Sequence, residues 1–99
     1  LNDPAYVEAA GALARRMDDV EGQTSGKIRR GFRLTLIRPP TVDEASRLLE
    51  VYEDLSADYA NDSAAADKLV KAANLETGDA AMISIANVLL NLDESLMKP

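Results

Sequence analysis

The residues in this chain with the chemistry to hold a ligand fall into two sets of opposite charge. Near the C-terminus, Asn91, Asp93 and Glu94 place an amide oxygen and two carboxylates within four positions. Those donor types suit a hard divalent cation such as Ca²⁺ or Mg²⁺. Between residues 22 and 42 lie five bases, Lys27, Arg29, Arg30, Arg33 and Arg38, and no acid. Guanidinium groups in such a run suit carboxylate or phosphate oxygens. The rest of the chain holds all seventeen acids against six bases, within a net charge of −6.

The spacing argues against a metal at the acidic set. Successive positions of a helix point in different directions, and the regular alternation of a calcium-binding loop is absent. The acids instead raise an electrostatic question. They close a hydrophobic helix at the end where its dipole is negative and where cations are favoured. The reading is that Asp93 or Glu94 pairs with Arg33 or Arg38, and that Asn91 bonds to neighbouring backbone. Arg29, Arg33, Arg38, Asn91, Asp93 and Glu94 are therefore expected to form a structural or interaction cluster, with no catalytic, cofactor or metal residue among them.

Several chemistries are excluded by composition. There is no Cys and no His. That removes thiolate chemistry, disulfides, haem attachment, the commonest general base and the commonest transition-metal ligand. Gly22-Gln23-Thr24-Ser25-Gly26-Lys27-Ile28 superficially resembles a phosphate-binding loop. It is one residue short, carries Ile where Ser or Thr is needed, and follows no strand. Asn61-Asp62-Ser63 fits a glycosylation acceptor, and fits a helix N-cap more simply. Asp18-Asp19 and Asp43-Glu44 sit at helix ends or on solvated faces, without the apolar pocket that makes a carboxyl an acid–base catalyst. Nucleic acid is disfavoured by net acidity and by the lack of aromatics interleaved with the bases beyond Phe32.

The elements that must position these groups are helices. The 99 residues fit one domain, residues 1–99, and are 46% hydrophobic but only 4% aromatic. A core of Leu, Ile, Val, Ala and Met favours helices. Asp3 and Pro4 open the first helix, with Tyr6, Val7, Ala10, Leu13, Ala14 and Met17 on one face, and it ends near Val20. The second starts near Thr24 or Ser25, carries Ile28, Phe32 and Leu36, and stops at Arg38-Pro39-Pro40. Gly31 within it is expected to permit close approach of another helix. Thr41-Val42-Asp43-Glu44 is a capping box that opens the third. Its apolar stripe is Ala45, Leu48, Leu49, Tyr52, Leu55 and Tyr59. A shorter Ala-rich fourth helix runs from about 63 to 73, and Asp79 caps the fifth. The last carries Met82, Ile85, Leu89, Leu92 and Leu96 at alternating spacings of three and four. Ile83, Ala86, Val88 and Leu90 widen its apolar surface, which predicts a central position. The fold class is all-α, a compact bundle of four to five helices. No run approaches the roughly 20 apolar residues of a membrane span.

The blocks Leu1-Asn2-Asp3-Pro4-Ala5-Tyr6-Val7-Glu8-Ala9-Ala10, residues 28–34, Arg38-Pro39-Pro40-Thr41 with Glu44, and residues 87–94 have a further use. In this order and separation they resemble the C-terminal end of a domain of unknown function from planctomycete-type bacteria. The resemblance covers nearly the whole chain. It implies a large, exported, multidomain parent, with a cytochrome-c-like domain near its N-terminus. Any haem would belong to that distant domain, so no cofactor is expected in this segment. The chain departs from the family pattern at Met82, where many relatives have Trp; Met fills that volume flexibly.

An opening Leu rather than Met, with no basic leader, reads as a piece cut from that longer chain. The expected function is a non-catalytic helical structural or interaction module whose partners are other domains of the parent. The alternative is part of an enzyme whose active site lies mainly upstream. A third class, an anion- or carbohydrate-binding module, would place weak binding near the five bases.

Overall fold

The computed structural model describes the backbone of residues 4–36 and 38–97 and the side chains of residues 7–36 and 38–92. Among these residues it is a bundle of five helices: α1 (Pro4–Asp18), α2 (Thr24–Leu36), α3 (Val42–Ala60), α4 (Ser63–Ala72) and α5 (Ala80–Met97). The radius of gyration is 12.7 Å, close to the ~13 Å of a folded domain of ~100 residues.

Each boundary has a local cause. Gly22, at φ 130°, turns the chain between α1 and α2 in a region that favours glycine. The capping box of α3 is complete: the Glu44 amide donates to Thr41 Oγ1 at 3.1 Å, and the Thr41 amide donates to Glu44 Oε1 at 2.9 Å. Asp62 caps α4 by accepting from the Ala65 amide at 3.1 Å. Asn74, at φ 63°, ends α4 in the left-handed conformation. There the Leu75 amide reaches Val70 O at 3.1 Å and the Asn74 amide reaches Lys71 O at 2.9 Å, the paired bonds of a Schellman ending. Asp79 caps α5, with Oδ1 accepting from the Ala81 amide at 3.0 Å.

The core gathers on α5, which packs against all four other helices. Met82, Ile83, Ile85, Ala86 and Leu89 are buried, and Met17, Ile28 and Phe32 meet them from α1 and α2. Full burial of an Ile or Leu contributes about 1.5–3 kcal/mol. Gly31 is where α2 comes close. A Cβ there would stand 2.6 Å from Met17 Sδ and 2.9 Å from Leu89 Cδ1. Gly11, which the hydrophobic pattern did not mark, does the same for α1 and α4. A Cβ on it would meet the Ala73 carbonyl oxygen at 2.8 Å.

Two parts of the expected α5 surface differ. Among the described residues the buried seam reaches Leu89; Leu92 is 39% exposed and Val88 37%. The expected seam residue Leu96 lies outside the described side chains, as does Tyr6 of α1. The α3 stripe is also more open than its periodicity suggests. Only Leu48 is buried, while Leu49, Tyr52, Leu55 and Tyr59 are partly buried against the core. This outer layer is held by polar links as well as by packing. Tyr52 OH donates to Asp79 Oδ2, and Tyr59 OH lies 3.3 Å from Ser84 Oγ. Tyr52 thus ties α3 to the cap of α5. Burial, reinforced by the Asp79 carboxylate, pushes the Tyr52 phenol up to about 12.

Candidate functional site

The five bases of residues 22–42 do not behave alike, and their positions along α2 explain why. Lys27, in the second turn of the helix, meets the acid at the end of α1: Lys27 Nζ lies 3.3 Å from Asp18 Oδ1. Arg38, in the loop after α2, meets the start of α3. Its two terminal nitrogens donate to Glu44 Oε1 and Oε2, each at 3.0 Å, in a bidentate fork. The Arg38 guanidinium also sits 4.9 Å from the centroid of the Phe32 ring, within cation–π range. Its bond to Arg38, then the Thr41 amide, holds the Glu44 carboxyl down to about 2. The same Glu44 bond raises the Arg38 guanidinium.

Arg30 is committed differently. Its Nε donates to the Arg16 carbonyl at 2.9 Å. A cation placed at the C-terminal turn of α1 satisfies a free carbonyl and suits the negative end of that helix.

Arg29 and Arg33 are left. They stand one turn apart, both exposed, and neither bridges to an acid among the described residues. Together they form a basic ridge with a hollow on each side. One hollow, of about 540 Å³, is lined by this pair with Val20, Gly26, Arg30 and Leu34. The other, of about 280 Å³, is lined by the pair with Pro39, Pro40, Thr41, Val42 and Ala45. Two guanidiniums beside open space can take carboxylate or phosphate oxygens from a partner.

The expected clasp between this run and the acidic tip resolves only in part. Among the described residues, Arg38 takes Glu44, six positions away in sequence, in its fork. The side chains of Asp93 and Glu94 lie outside the described residues. Asn91 is described: its Nδ2 donates to the Asn87 carbonyl at 3.0 Å. Among the described residues the structure brings Arg29 and Arg33 together on one ridge and places Arg38 beyond its end, paired. No group of three or more acids able to hold a metal occurs among the described residues. Among them, no helix is long and apolar enough to cross a membrane.

Sequence reasoning missed two features. The first is the hollow that Pro39, Pro40 and Val42 make beside the ridge. Its signal is Val42 itself, an apolar residue directly after the Thr41 cap and outside the apolar stripe of α3. The second is the Tyr52–Asp79 link, for which no local spacing gives notice. Comparison of the chain with family models, curated proteins and solved structures finds no match.

Proposed function

We propose that this helical domain is a non-catalytic interaction module whose working surface is the Arg29–Arg33 ridge, and that it docks an acidic segment of another domain of its parent chain. The observation that carries this reading is the contrast within one basic run. Lys27, Arg30 and Arg38 are spent inside the domain, while Arg29 and Arg33 face outward between two hollows. A guanidinium pair on a rigid helix is preorganised for bidentate capture of carboxylates.

The resemblance supplies the setting of the proposal. The parent is a large exported protein of planctomycete-type bacteria, with a cytochrome-c-like domain remote from this segment. Haem, in this reading, stays in that remote domain. The ridge then holds the module against a neighbouring domain.

The test is to add the other domains of the parent, produced separately, to this chain and follow its thermal unfolding. Binding to the folded state raises the melting temperature by mass action. The reading expects a rise that shrinks as salt is raised and is absent in the Arg29→Glu/Arg33→Glu variant. No rise at low salt, or an equal rise in the variant, contradicts it.

A further inference from the structure

We infer that the segment taken by the ridge is not merely acidic but carries one bulky apolar residue among its acids, seated in the hollow between the ridge and the start of α3. This rests on the docking reading above and specifies its partner. The hollow of about 280 Å³ has two kinds of wall. Arg29 and Arg33 form one side. Pro39, Pro40, Val42 and Ala45 form the other, and all four offer hydrocarbon. At this size it lies just under the roughly 300–1,000 Å³ of small-molecule sites. It suits a single inserted side chain better than a cofactor.

The hydrocarbon side is rigid before anything binds. Pro39 and Pro40 each fix one backbone angle. The capping box locks Thr41 and Glu44 to each other, and the Arg38–Glu44 fork closes the loop from outside. A preformed seat loses little conformational entropy on binding. Val42 is 81% exposed, the largest exposure among the described large apolar residues. A single exposed Val is ordinary on a surface. Here it stands on the wall of a hollow whose facing wall is two arginines that meet no acid among the described residues.

The charges around the seat favour an anionic partner. Glu44, the nearest acid in the capping turn, is taken by Arg38. Asp43 borders a different hollow, with Arg47 and Glu50. The net sign at the seat is positive on the ridge and neutral on the hydrocarbon side. Carboxylates flanking one Leu- or Phe-sized side chain complement both walls. An acidic segment without that residue would meet the ridge and leave the hollow unfilled.

The experiment uses two labelled octapeptides of alternating Asp and Glu, one with Leu at its fourth position and one with Ser there. Fluorescence anisotropy at low salt measures their binding to the intact chain, to Val42→Ser and to Arg29→Glu/Arg33→Glu. An octathymidylate serves as a third probe. The inference expects the Leu peptide to bind about tenfold more tightly than the Ser peptide, the scale of burying part of one apolar side chain. In Val42→Ser that preference falls to about twofold or less, with thermal unfolding unchanged because the residue is exposed. Neither peptide binds the double charge reversal. Equal binding of the two peptides, sensitive to salt and to the charge reversal, overturns this inference and leaves the docking reading standing. A Leu preference that persists in Val42→Ser places the seat elsewhere and also overturns it. Absence of binding by either peptide, or tight binding of the octathymidylate alone, overturns both.

Discussion

Arg38 and Arg33 belong to the same basic run, five positions apart, and have opposite fates. Arg38 lies where the chain turns back, so the first turn of α3 delivers Glu44 to its fork. Lys27, early in α2, is met in the same way by Asp18 from the end of α1. Arg29 lies within α2 and Arg33 in its last turn, and they meet no acid among the described residues. Lys27 and Arg38 are neutralised locally, because the adjoining helix ends supply Asp18 and Glu44. Arg30, at the centre of α2, is held instead by the Arg16 carbonyl, which leaves Arg29 and Arg33 to something outside the domain.

The strongest way to break this contrast is to disturb the platform under Arg29 and Arg33. Gly31→Val would drive side-chain carbon into Met17 and Leu89, both 0% exposed. Overpacking a filled core costs about 1–3 kcal/mol, and urea unfolding should show a loss in that range. Ridge binding should weaken with it only where the variant is partly unfolded. Replacing Gly11 tests the same principle away from the ridge. Gly11→Ala presses on the Ala73 carbonyl, which is backbone and yields less than a side-chain end. Destabilisation of about 1–3 kcal/mol is expected, with binding of acidic peptide to the folded fraction unchanged.

Next in size is the loop that neutralises Arg38. Thr41→Ala removes the cap of α3, at a cost of about 1 kcal/mol measured by chemical denaturation. Glu44→Gln keeps the shape of the capping side chain and removes its charge. That frees Arg38, and affinity for an acidic peptide should rise modestly, because exposed pairs are weak. A fall in affinity would show that Arg38 was never equivalent to its neighbours.

The smallest effects are those of pH, and they separate the two polar ties. Glu44 titrates near 2 when folded and near 4.5 otherwise. A depressed carboxyl contributes stability that is present above 4.5 and is lost as pH falls toward 2. Tyr52 titrates near 12 when folded against 10 otherwise. A raised phenol contributes stability that is present below 10 and is lost as pH rises toward 12. Melting temperatures of Glu44→Gln and Tyr52→Phe should therefore fall less steeply in acid and in alkali respectively, each leaving the other limb unchanged.

Much of the architecture was legible in the residues. Caps at Thr41 and Asp79, and one within Asn61-Asp62-Ser63 that proves to be Asp62, act over three positions or fewer, so their signals are local. The closeness at Gly31 was legible because a glycine inside an apolar stripe has few other uses. The Arg38–Glu44 fork went unforeseen for a physical reason. Charge balance over the whole chain pointed to the distant acids, whereas Glu44 was already held in the adjoining turn by its capping role. The exposure of Leu92 and the openness of α3 depend on how far each neighbouring helix extends, which no period in one helix encodes. Tyr52 and Asp79 meet across 27 positions, a distance over which spacing carries no information.

The most direct measurement is amide chemical-shift mapping of the labelled chain during titration with the Leu-containing acidic octapeptide. The account predicts shifts centred on Arg29, Arg33, Thr41 and Val42, with those of Lys27, Lys68 and Lys71 nearly still. Shifts spread evenly over all the basic residues would mean unspecific attraction, and would contradict the claim that Arg29 and Arg33, which meet no acid among the described residues, make a docking site.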